Sequence, residues 1–374
     1  MIALSGGNPG LRCGRLAAAT LEYMTLAGGL AVATASSDDV MKRVCKTIAI
    51  LSGLLVTFTA ASSILRWTQG KDLPLPKGGY ASGILDGKLV LAGGTYWKDN
   101  QKLWLDEVVA YDPSRDTWEK LPPLPRLLAY GASATFQETF YVLGGAGPEK
   151  PDRAGYRLEK QAGKYGWSEF TPLPADRCYA KAVVAGDRLY LIAGSENAND
   201  LSTATRSLLS VGLSEKHPQW KTLAPIPGEG RAIHAVAACK GSIYVFGGCY
   251  SDSQGIHNLA SAYRYDPSSD RWTRLKDAPA PVRAWSASSP DDRIIFLFAG
   301  FASPTPSDPS IPQAGQFERR VYRYDTVSDE YQEVAPLPHA VADIAFHYLR
   351  GAFYGSGGEP RGRARTGHTY VGRF

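Results

Sequence analysis

The sequence predicts an all-β fold in which six copies of one four-stranded antiparallel unit close into a ring. Strand-like phrases that end in two small residues recur about every 50 residues, and an aromatic residue before a proline-rich turn recurs on the same period. No helical period follows residue 66, and 39 glycines and 25 prolines in 374 residues indicate many turns. The formal net charge of +5 is too small and scattered to favour a nucleic-acid partner.

The N-terminal part differs from the rest. Residues 1–40 show no clear pattern, so Met41 is a candidate for the true start. Residues 41–63 begin with three cations, continue through an apolar run and end in small residues, which predicts a secretory signal peptide and a periplasmic or secreted protein. The alternative is an uncleaved membrane anchor, because Thr47 to Leu65 carries no charge. Residues 64–374 form the predicted domain.

Each repeat contains a small-residue pair after its second predicted strand. The phrases are KLVLAGG, TFYVLGG, RLYLIAG, SIYVFGG, IIFLFAG and AFYGSGG, and their last glycines are Gly94, Gly145, Gly194, Gly248, Gly300 and Gly358. The fourth predicted strand carries the aromatic residue, at Trp118, Trp167, Trp220, Trp272 and Tyr331.

These repeats resemble the kelch motif, which places a diglycine after the second strand and a tryptophan in the fourth. The resemblance covers roughly residues 64–374 and implies a six-bladed kelch β-propeller with four-stranded antiparallel blades. The segment ILRWTQGKDLPLP, with Trp67, has the form of an outer strand, whereas no outer strand follows Gly358. We therefore expect the N-terminal segment to complete the last blade and to close the ring, which removes exposed sheet edges.

In such a fold the residues after each proline-rich turn form a ring at the mouth of the central channel. Counting back from the glycine pairs places six residues there: Tyr80, Tyr130, Tyr179, His234, Trp285 and Asp343. Cations precede several of them: Lys77, Arg126, Arg177, Arg231 and Arg283. An aromatic, cationic mouth suits a small anionic ligand with hydroxyl groups, such as an acidic sugar. The predicted binding set is Arg177, Arg231, Arg283 and the five aromatic members of the ring.

The stretch GGEPRGRARTGH follows the last β-strand phrase and sets Glu359 among three arginines. It resembles the catalytic loop of the bacterial N-acetylneuraminate mutarotases, also called epimerases, which are exported six-bladed kelch propellers. In that loop a glutamate precedes an arginine by six residues, as Glu359 precedes Arg365 here. The family's type members carry the loop in a middle blade, so the resemblance is to a cyclically permuted form.

The resemblance implies that Glu359 and Arg365 are catalytic. Exchange of sugar anomers requires removal of a proton from the anomeric hydroxyl while the ring oxygen is protonated. Glu359 would shuttle the proton, and Arg365 would hold the substrate carboxylate or assist charge build-up at the ring oxygen. No cofactor or metal is expected. An ordinary surface pair of Glu359 with an arginine is the alternative for these residues.

Two other functions fit parts of the pattern. A non-catalytic propeller that binds a glycan or a protein needs only the same fold. A copper oxidase of the galactose oxidase kind needs two histidines and tyrosines around one metal, whereas the six histidines here are scattered. Of the cysteines after residue 63, Cys239 and Cys249 could form one bridge, but we expect the thiols to serve mostly in packing.

Overall fold

The computed structural model describes residues 65–303 and 316–374. The predicted leader at residues 1–40 and the predicted signal peptide or anchor at 41–63 lie outside the described residues. Most of the long loop that follows Gly300 lies outside them as well. Throughout the described part the regular structure is β-strand, and no helix there is long and apolar enough to cross a membrane.

The described residues contain 33 strands. In chain order they are β1 (Arg66–Gly70), β2 (Ala81–Leu85), β3 (Lys88–Ala92), β4 (Thr95–Lys98), β5 (Gln101–Trp104), β6 (Val108–Asp112), β7 (Thr117–Leu121), β8 (Ala132–Phe136), β9 (Thr139–Leu143), β10 (Gly155–Gln161), β11 (Lys164–Phe170), β12 (Lys181–Ala185), β13 (Arg188–Ile192), β14 (Ser195–Asn197), β15 (Asp200–Ala204), β16 (Leu208–Gly212) and β17 (Lys221–Leu223). They continue as β18 (Ala235–Cys239), β19 (Ser242–Phe246), β20 (Cys249–Asp252), β21 (Gly255–Asn258), β22 (Ala262–Asp266), β23 (Arg271–Arg274), β24 (Val282–Arg283), β25 (Ser286–Ser288), β26 (Ile294–Phe298), β27 (Phe301–Ala302), β28 (Gln316–Phe317), β29 (Val321–Asp325), β30 (Glu330–Val334), β31 (Phe346–Leu349), β32 (Ala352–Ser356) and β33 (Thr369–Arg373).

Within the described residues these strands form six four-stranded antiparallel sheets. The sheets are numbered here by the order of their inner strands along the chain. From the inner to the outer strand they are sheet 1 (β2-β3-β6-β7), sheet 2 (β8-β9-β10-β11), sheet 3 (β12-β13-β16-β17), sheet 4 (β18-β19-β22-β23), sheet 5 (β25-β26-β29-β30) and sheet 6 (β31-β32-β33-β1). Short additional sheets, such as the hairpins β4-β5 and β20-β21, extend from the loops after the glycine pairs.

The inner strands contact one another in a closed cycle, β2 with β8, β8 with β12, and onward through β31 back to β2. Sheet 6 takes its outer strand from the beginning of the domain, since β1 pairs with β33 in a register that sets Arg66 opposite Arg373. The described residues therefore form a β-propeller, as the repeats predicted, and the predicted closure of the ring by an N-terminal outer strand is confirmed.

The glycine pairs join neighbouring sheets through backbone hydrogen bonds. The N–H of Gly94 donates to the carbonyl of Leu128 in the next sheet at 2.8 Å, and the N–H of Gly358 donates to the carbonyl of Lys77 at 2.9 Å. Gly358 has a φ of +95°, and a Cβ there would lie 2.8 Å from the carbonyl oxygen of Ala342. Glycine avoids both the strain and the collision, which explains why the pattern recurs.

The predicted aromatic residue of each outer strand also donates a hydrogen bond to a backbone carbonyl of the preceding repeat. The indole N–H of Trp118 donates to the carbonyl of Lys71 at 2.9 Å, and that of Trp67 donates to the carbonyl of Ala335 at 3.1 Å. The corresponding donors of the other sheets are Trp167, Trp220, Trp272 and Tyr331. Each ring packs on apolar residues between two sheets, so one side chain supplies both apolar burial and a satisfied donor.

Alternating apolar residues of neighbouring sheets form the core. Between sheets 5 and 6, for example, the buried rings of Phe298, Phe346 and Phe353 pack with centroids 4.6–5.0 Å apart. The three cysteines of the described residues are buried and free, so the alternative of a Cys239–Cys249 bridge is wrong and the packing expectation fits their positions.

Candidate functional site

Six residues in the left-handed backbone conformation form a ring where the chain enters the inner strands. They are Gly79, Tyr130, Tyr179, Ile233, Ala284 and Asp343, with φ between +55° and +68°. Backbone hydrogen bonds link neighbours in the ring, for example from Tyr130 N to Gly79 O at 2.6 Å and from Tyr179 N to Tyr130 O at 2.9 Å. The ring thereby sets six Cα positions around the axis of the propeller.

Three members of the predicted ring stand one residue too far along the chain. Tyr80, His234 and Trp285 each follow a left-handed residue and are buried, with 8%, 0% and 3% of their surface exposed. The Tyr80 hydroxyl donates to the carbonyl of Ser356 at 2.5 Å, and Trp285 packs in the core between sheets 4 and 5. The left-handed turn directs the following side chain between two sheets, which is why these three do not line the mouth.

The cations before the ring also differ from the expectation. Lys77, Arg177 and Arg231 stand two residues before the left-handed residue and are buried. Arg177 donates to the hydroxyl of Thr205 at 2.9 Å, and Arg231 donates to the carbonyl of Gly247 at 3.1 Å. Their donors are engaged by neighbouring loops, whereas Arg283 stands immediately before the left-handed Ala284 and lines the cavity.

A cavity of about 910 Å³ opens above the ring. Its described walls are Tyr130, Tyr179, Ile233, Arg283, Ala284, Phe301, Phe317, Ala342, Asp343, Glu359, Arg361, Gly362, Arg363 and Arg365. Of the predicted site residues this set contains Glu359, Arg365, Arg283, Tyr130 and Tyr179. The five others, Tyr80, Arg177, Arg231, His234 and Trp285, are absent from these described walls.

Glu359 and Arg365 form an ion pair on the cavity wall, with Nη1 of the arginine 2.5 Å from Oε2 of the glutamate. The backbone of Glu359 is fixed by two hydrogen bonds with Ala342, of 2.7 and 2.9 Å, directly beside the ring. One quarter of the glutamate side chain is exposed, compared with 4% of the arginine side chain. Both residues line the cavity, and the carboxylate is the more exposed partner of the pair.

The guanidinium of Arg365 is engaged on every nitrogen. Nε donates to the carbonyl of Thr95 at 3.2 Å, Nη2 donates to the Thr95 hydroxyl at 3.0 Å, and Nη1 also donates to the carbonyl of Ala364 at 3.2 Å. Burial alone would lower the pKa of Arg365, but Asp343 and Glu359 together raise it. The geometry suits Arg365 to orienting Glu359 better than to receiving a ligand.

Arg283 lines the cavity together with Arg361, Arg363 and Arg365. Its Nη1 donates to Oδ1 of Asn258 at 2.8 Å, and its guanidinium lies over the ring of Phe301 at 4.4 Å. No described residue accepts a hydrogen bond from its Nε or Nη2. Burial lowers the pKa of Arg283 from its usual value, yet the group stays charged at neutral pH.

Aromatic rings form one side of the mouth. Tyr130 and Tyr179 lie with centroids 4.6 Å apart, and Trp104 meets Tyr130 edge to face at 5.7 Å. The ammonium group of Lys102 lies 5.1 Å from the Tyr130 ring. Such a surface offers a flat apolar wall beside a positive charge, which suits the C–H face of a sugar ring.

Asp343 is a site residue whose chemical role the sequence did not reveal. It occupies the left-handed position of sheet 6, and its Oδ2 lies 3.9 Å from Nη2 of Arg365. Burial raises the pKa of Asp343 to about 6, and Glu359 adds to the rise while Arg365 opposes it. Within the described residues no group of three or more histidine, cysteine, aspartate or glutamate side chains is arranged to hold a metal ion.

Two protein-family profiles match parts of this chain. A family profile described as N-acetylneuraminate epimerase matches residues 199–304, and a Kelch motif profile matches residues 76–125. Neither match includes Glu359 or Arg365.

Among curated relatives, Kelch-like protein terF of Aspergillus terreus is 27% identical over 67% of this chain and 57% of its own length. Kelch-like protein 35 of Mus musculus is 26% identical over 72% of this chain and 41% of its length. Beta-scruin of Limulus polyphemus is 26% identical over 57% of this chain and 21% of its length. The chain thus spans about half the length, or less, of these relatives.

Proposed function

We propose that this protein interconverts the anomers of N-acetylneuraminate by acid–base ring opening. The observation that carries the proposal is the Glu359–Arg365 pair, six residues apart in sequence and 2.5 Å apart on a cavity wall. The epimerase profile over residues 199–304 supports the same family of activities.

The charge of the cavity supports an acidic ligand. Four arginines and two carboxylates belong to its described walls, so the walls carry a net positive charge when all six are ionised. A volume of about 910 Å³ is large enough for a nine-carbon sugar acid with water around it. The aromatic side formed by Tyr130 and Tyr179 supplies an apolar surface for the sugar ring.

Each residue then has a separate task. Glu359 accepts the proton of the anomeric hydroxyl, since its carboxylate faces the cavity and is fixed through Ala342. Arg365 acts through Glu359 as a positioning residue. Arg283 lines the cavity and has two nitrogens without a described acceptor, so it receives the substrate carboxylate, one of the two roles that the resemblance implied for Arg365.

A second candidate is a propeller that binds a glycan or a protein without chemistry. The relatives named as Kelch-like proteins, which match more than half of this chain, fit this candidate as well. In that case Glu359 and Arg365 form a wall of a binding cavity, and the cavity leaves the anomers of its ligand unchanged.

Anomer exchange followed by NMR separates the two candidates. A freshly dissolved single anomer of N-acetylneuraminate should equilibrate faster with the protein than in buffer alone, and Glu359→Gln should reduce this acceleration by about 100-fold or more. Asp252→Asn, in hairpin β20-β21, removes a carboxylate from the equivalent loop of sheet 4 and should leave the rate unchanged. Binding of the sugar with exchange at the buffer rate would support the binding-only candidate.

A further inference from the structure

Two carboxyl groups belong to the described cavity walls, and they come from different elements. Glu359 follows the glycine pair after β32, whereas Asp343 precedes β31. One guanidinium contacts both, with Arg365 Nη1 2.5 Å from Glu359 and Nη2 3.9 Å from Asp343. The two carboxyls therefore flank the same cation and face the same space.

The backbone fixes Asp343 at the floor of the cavity. It is the acid in a ring whose other positions hold Gly79, Tyr130, Tyr179, Ile233 and Ala284. Its φ of +55° is uncommon for a residue with a side chain, although aspartate tolerates this region better than most. The adjacent residue Ala342 is bonded to the backbone of Glu359, so the two carboxyls keep a fixed relation.

The surroundings of Asp343 favour its neutral form. Protein atoms enclose much of the carboxyl, and no described donor lies within hydrogen-bonding distance of it. Nη2 of Arg365 is 3.9 Å away, which is too far for a hydrogen bond. Its pKa is raised to about 6, mainly by burial. The charged or titratable groups that act on it or feel its charge are Arg365, Glu359, Lys181, Lys102, Tyr80 and Tyr179.

We propose that Asp343 is the second proton-transfer residue of the site, protonating the ring oxygen while Glu359 removes the proton of the anomeric hydroxyl. This inference rests on the proposed function. The anomeric carbon becomes a carbonyl carbon, its bond to the ring oxygen breaks, and the ring oxygen leaves as a hydroxyl. After rotation of the open chain, Asp343 takes that proton back and Glu359 returns its proton to the carbonyl oxygen, so both residues regain their starting states.

The test is the pH profile of enzyme-dependent anomer exchange in the full chain and in Asp343→Asn. In the unaltered chain the rate should fall as pH rises through about 6, because Asp343 loses the proton that it must donate. Asparagine tolerates the left-handed backbone, so the substitution should leave KM within about threefold and lower kcat by about 100-fold or more. The residual activity of the variant should show no fall near pH 6.

A rescue variant and a control variant test whether the carboxyl of Asp343 is the group responsible. Asp343→Glu restores a carboxyl and should recover part of the rate, whereas Asp252→Asn should change neither rate nor profile. If Asp343→Asn keeps its full rate, or keeps the fall near pH 6, Asp343 is not the proton donor even when Glu359→Gln abolishes exchange. If the unaltered chain gives no exchange above buffer, the proposed function fails and this inference fails with it.

Discussion

At the residue scale, two of the four arginines that line the cavity, Arg365 and Arg283, differ in how many of their hydrogen-bond donors are already engaged. Arg365 is 4% exposed and bonded through all three nitrogens, so a ligand would have to displace existing partners. Arg283 keeps two nitrogens without a described acceptor. The resemblance of the loop identified Arg365, but the division of tasks depends on which hydrogen bonds the fold has already formed.

We expect Arg283→Ala to weaken binding of N-acetylneuraminate about 10- to 100-fold, because a charge-assisted hydrogen bond contributes about 1.5–3 kcal/mol. Titration calorimetry measures the effect. The methyl ester of the sugar lacks the anionic partner, so its affinity should change much less. Arg115→Ala, whose side chain is 79% exposed in the turn after β6, is the control and should bind normally. Equal losses for the acid and its ester would remove Arg283 from carboxylate recognition.

Asp343 should also affect stability with a definite sign. Its folded-state pKa of about 6 exceeds the unfolded value of 3.8, so the folded protein binds this proton more tightly. The contribution of Asp343 to the free energy of unfolding therefore declines as pH rises from about 4 to about 6 and stays reduced above that range. Asp343→Asn removes the decline.

At pH 7.5 we expect Asp343→Asn to raise the free energy of unfolding by about 1–2 kcal/mol, less than the two pKa units would give, because water reaches part of the side chain. Urea unfolding at pH 4 and pH 7.5 measures it. At pH 4 the variant and the unaltered chain should differ by well under 1 kcal/mol. A variant that is less stable at both pH values would show that the carboxylate is needed for structure.

At the element scale, the repeats predicted which strands form and how the ring closes. Trp67 was assigned to an outer strand from one short phrase, and β1 indeed completes sheet 6. The ring of residues at the mouth was harder to predict from the sequence, because an error of one residue in the alignment replaces a side chain at the mouth by one in the core. In five sheets the left-handed residue stands 14 residues before the first small residue of the pair, so counting back 14 residues from each pair identifies it. These residues are Gly79, Tyr130, Tyr179, Ile233 and Asp343. Sheet 5 carries one extra residue, which hides Ala284.

Trp67 tests the closure of the ring. It donates to the carbonyl of Ala335 and packs edge to face on Phe298 and Phe346. We expect Trp67→Ala to lower the free energy of unfolding by about 2–4 kcal/mol, measured by urea denaturation. Val327→Ala, at a position 75% exposed, should change it by less than about 0.5 kcal/mol. A loss below 1 kcal/mol for Trp67→Ala would mean that this contact contributes little to closure.

At the scale of the whole molecule, the fold brings residues from different sheets into one cavity. Asp343 and Glu359 belong to sheet 6, Arg283 leads into sheet 5, and Tyr130 and Tyr179 lead into sheets 2 and 3. The sequence predicted the kelch β-propeller because its period is strong. It did not predict the burial of Arg177 and Arg231 or the raised pKa of Asp343, since both depend on packing between sheets.

Equilibrium exchange NMR of N-acetylneuraminate tests the central proposal most directly. Exchange cross-peaks between the two anomers should grow in proportion to protein concentration at pH 5.5, where Asp343 is still largely protonated. They should return to the buffer level when Glu359→Gln replaces the unaltered protein at the same concentration. Cross-peaks that do not depend on protein concentration would contradict an anomer-exchanging site at Glu359.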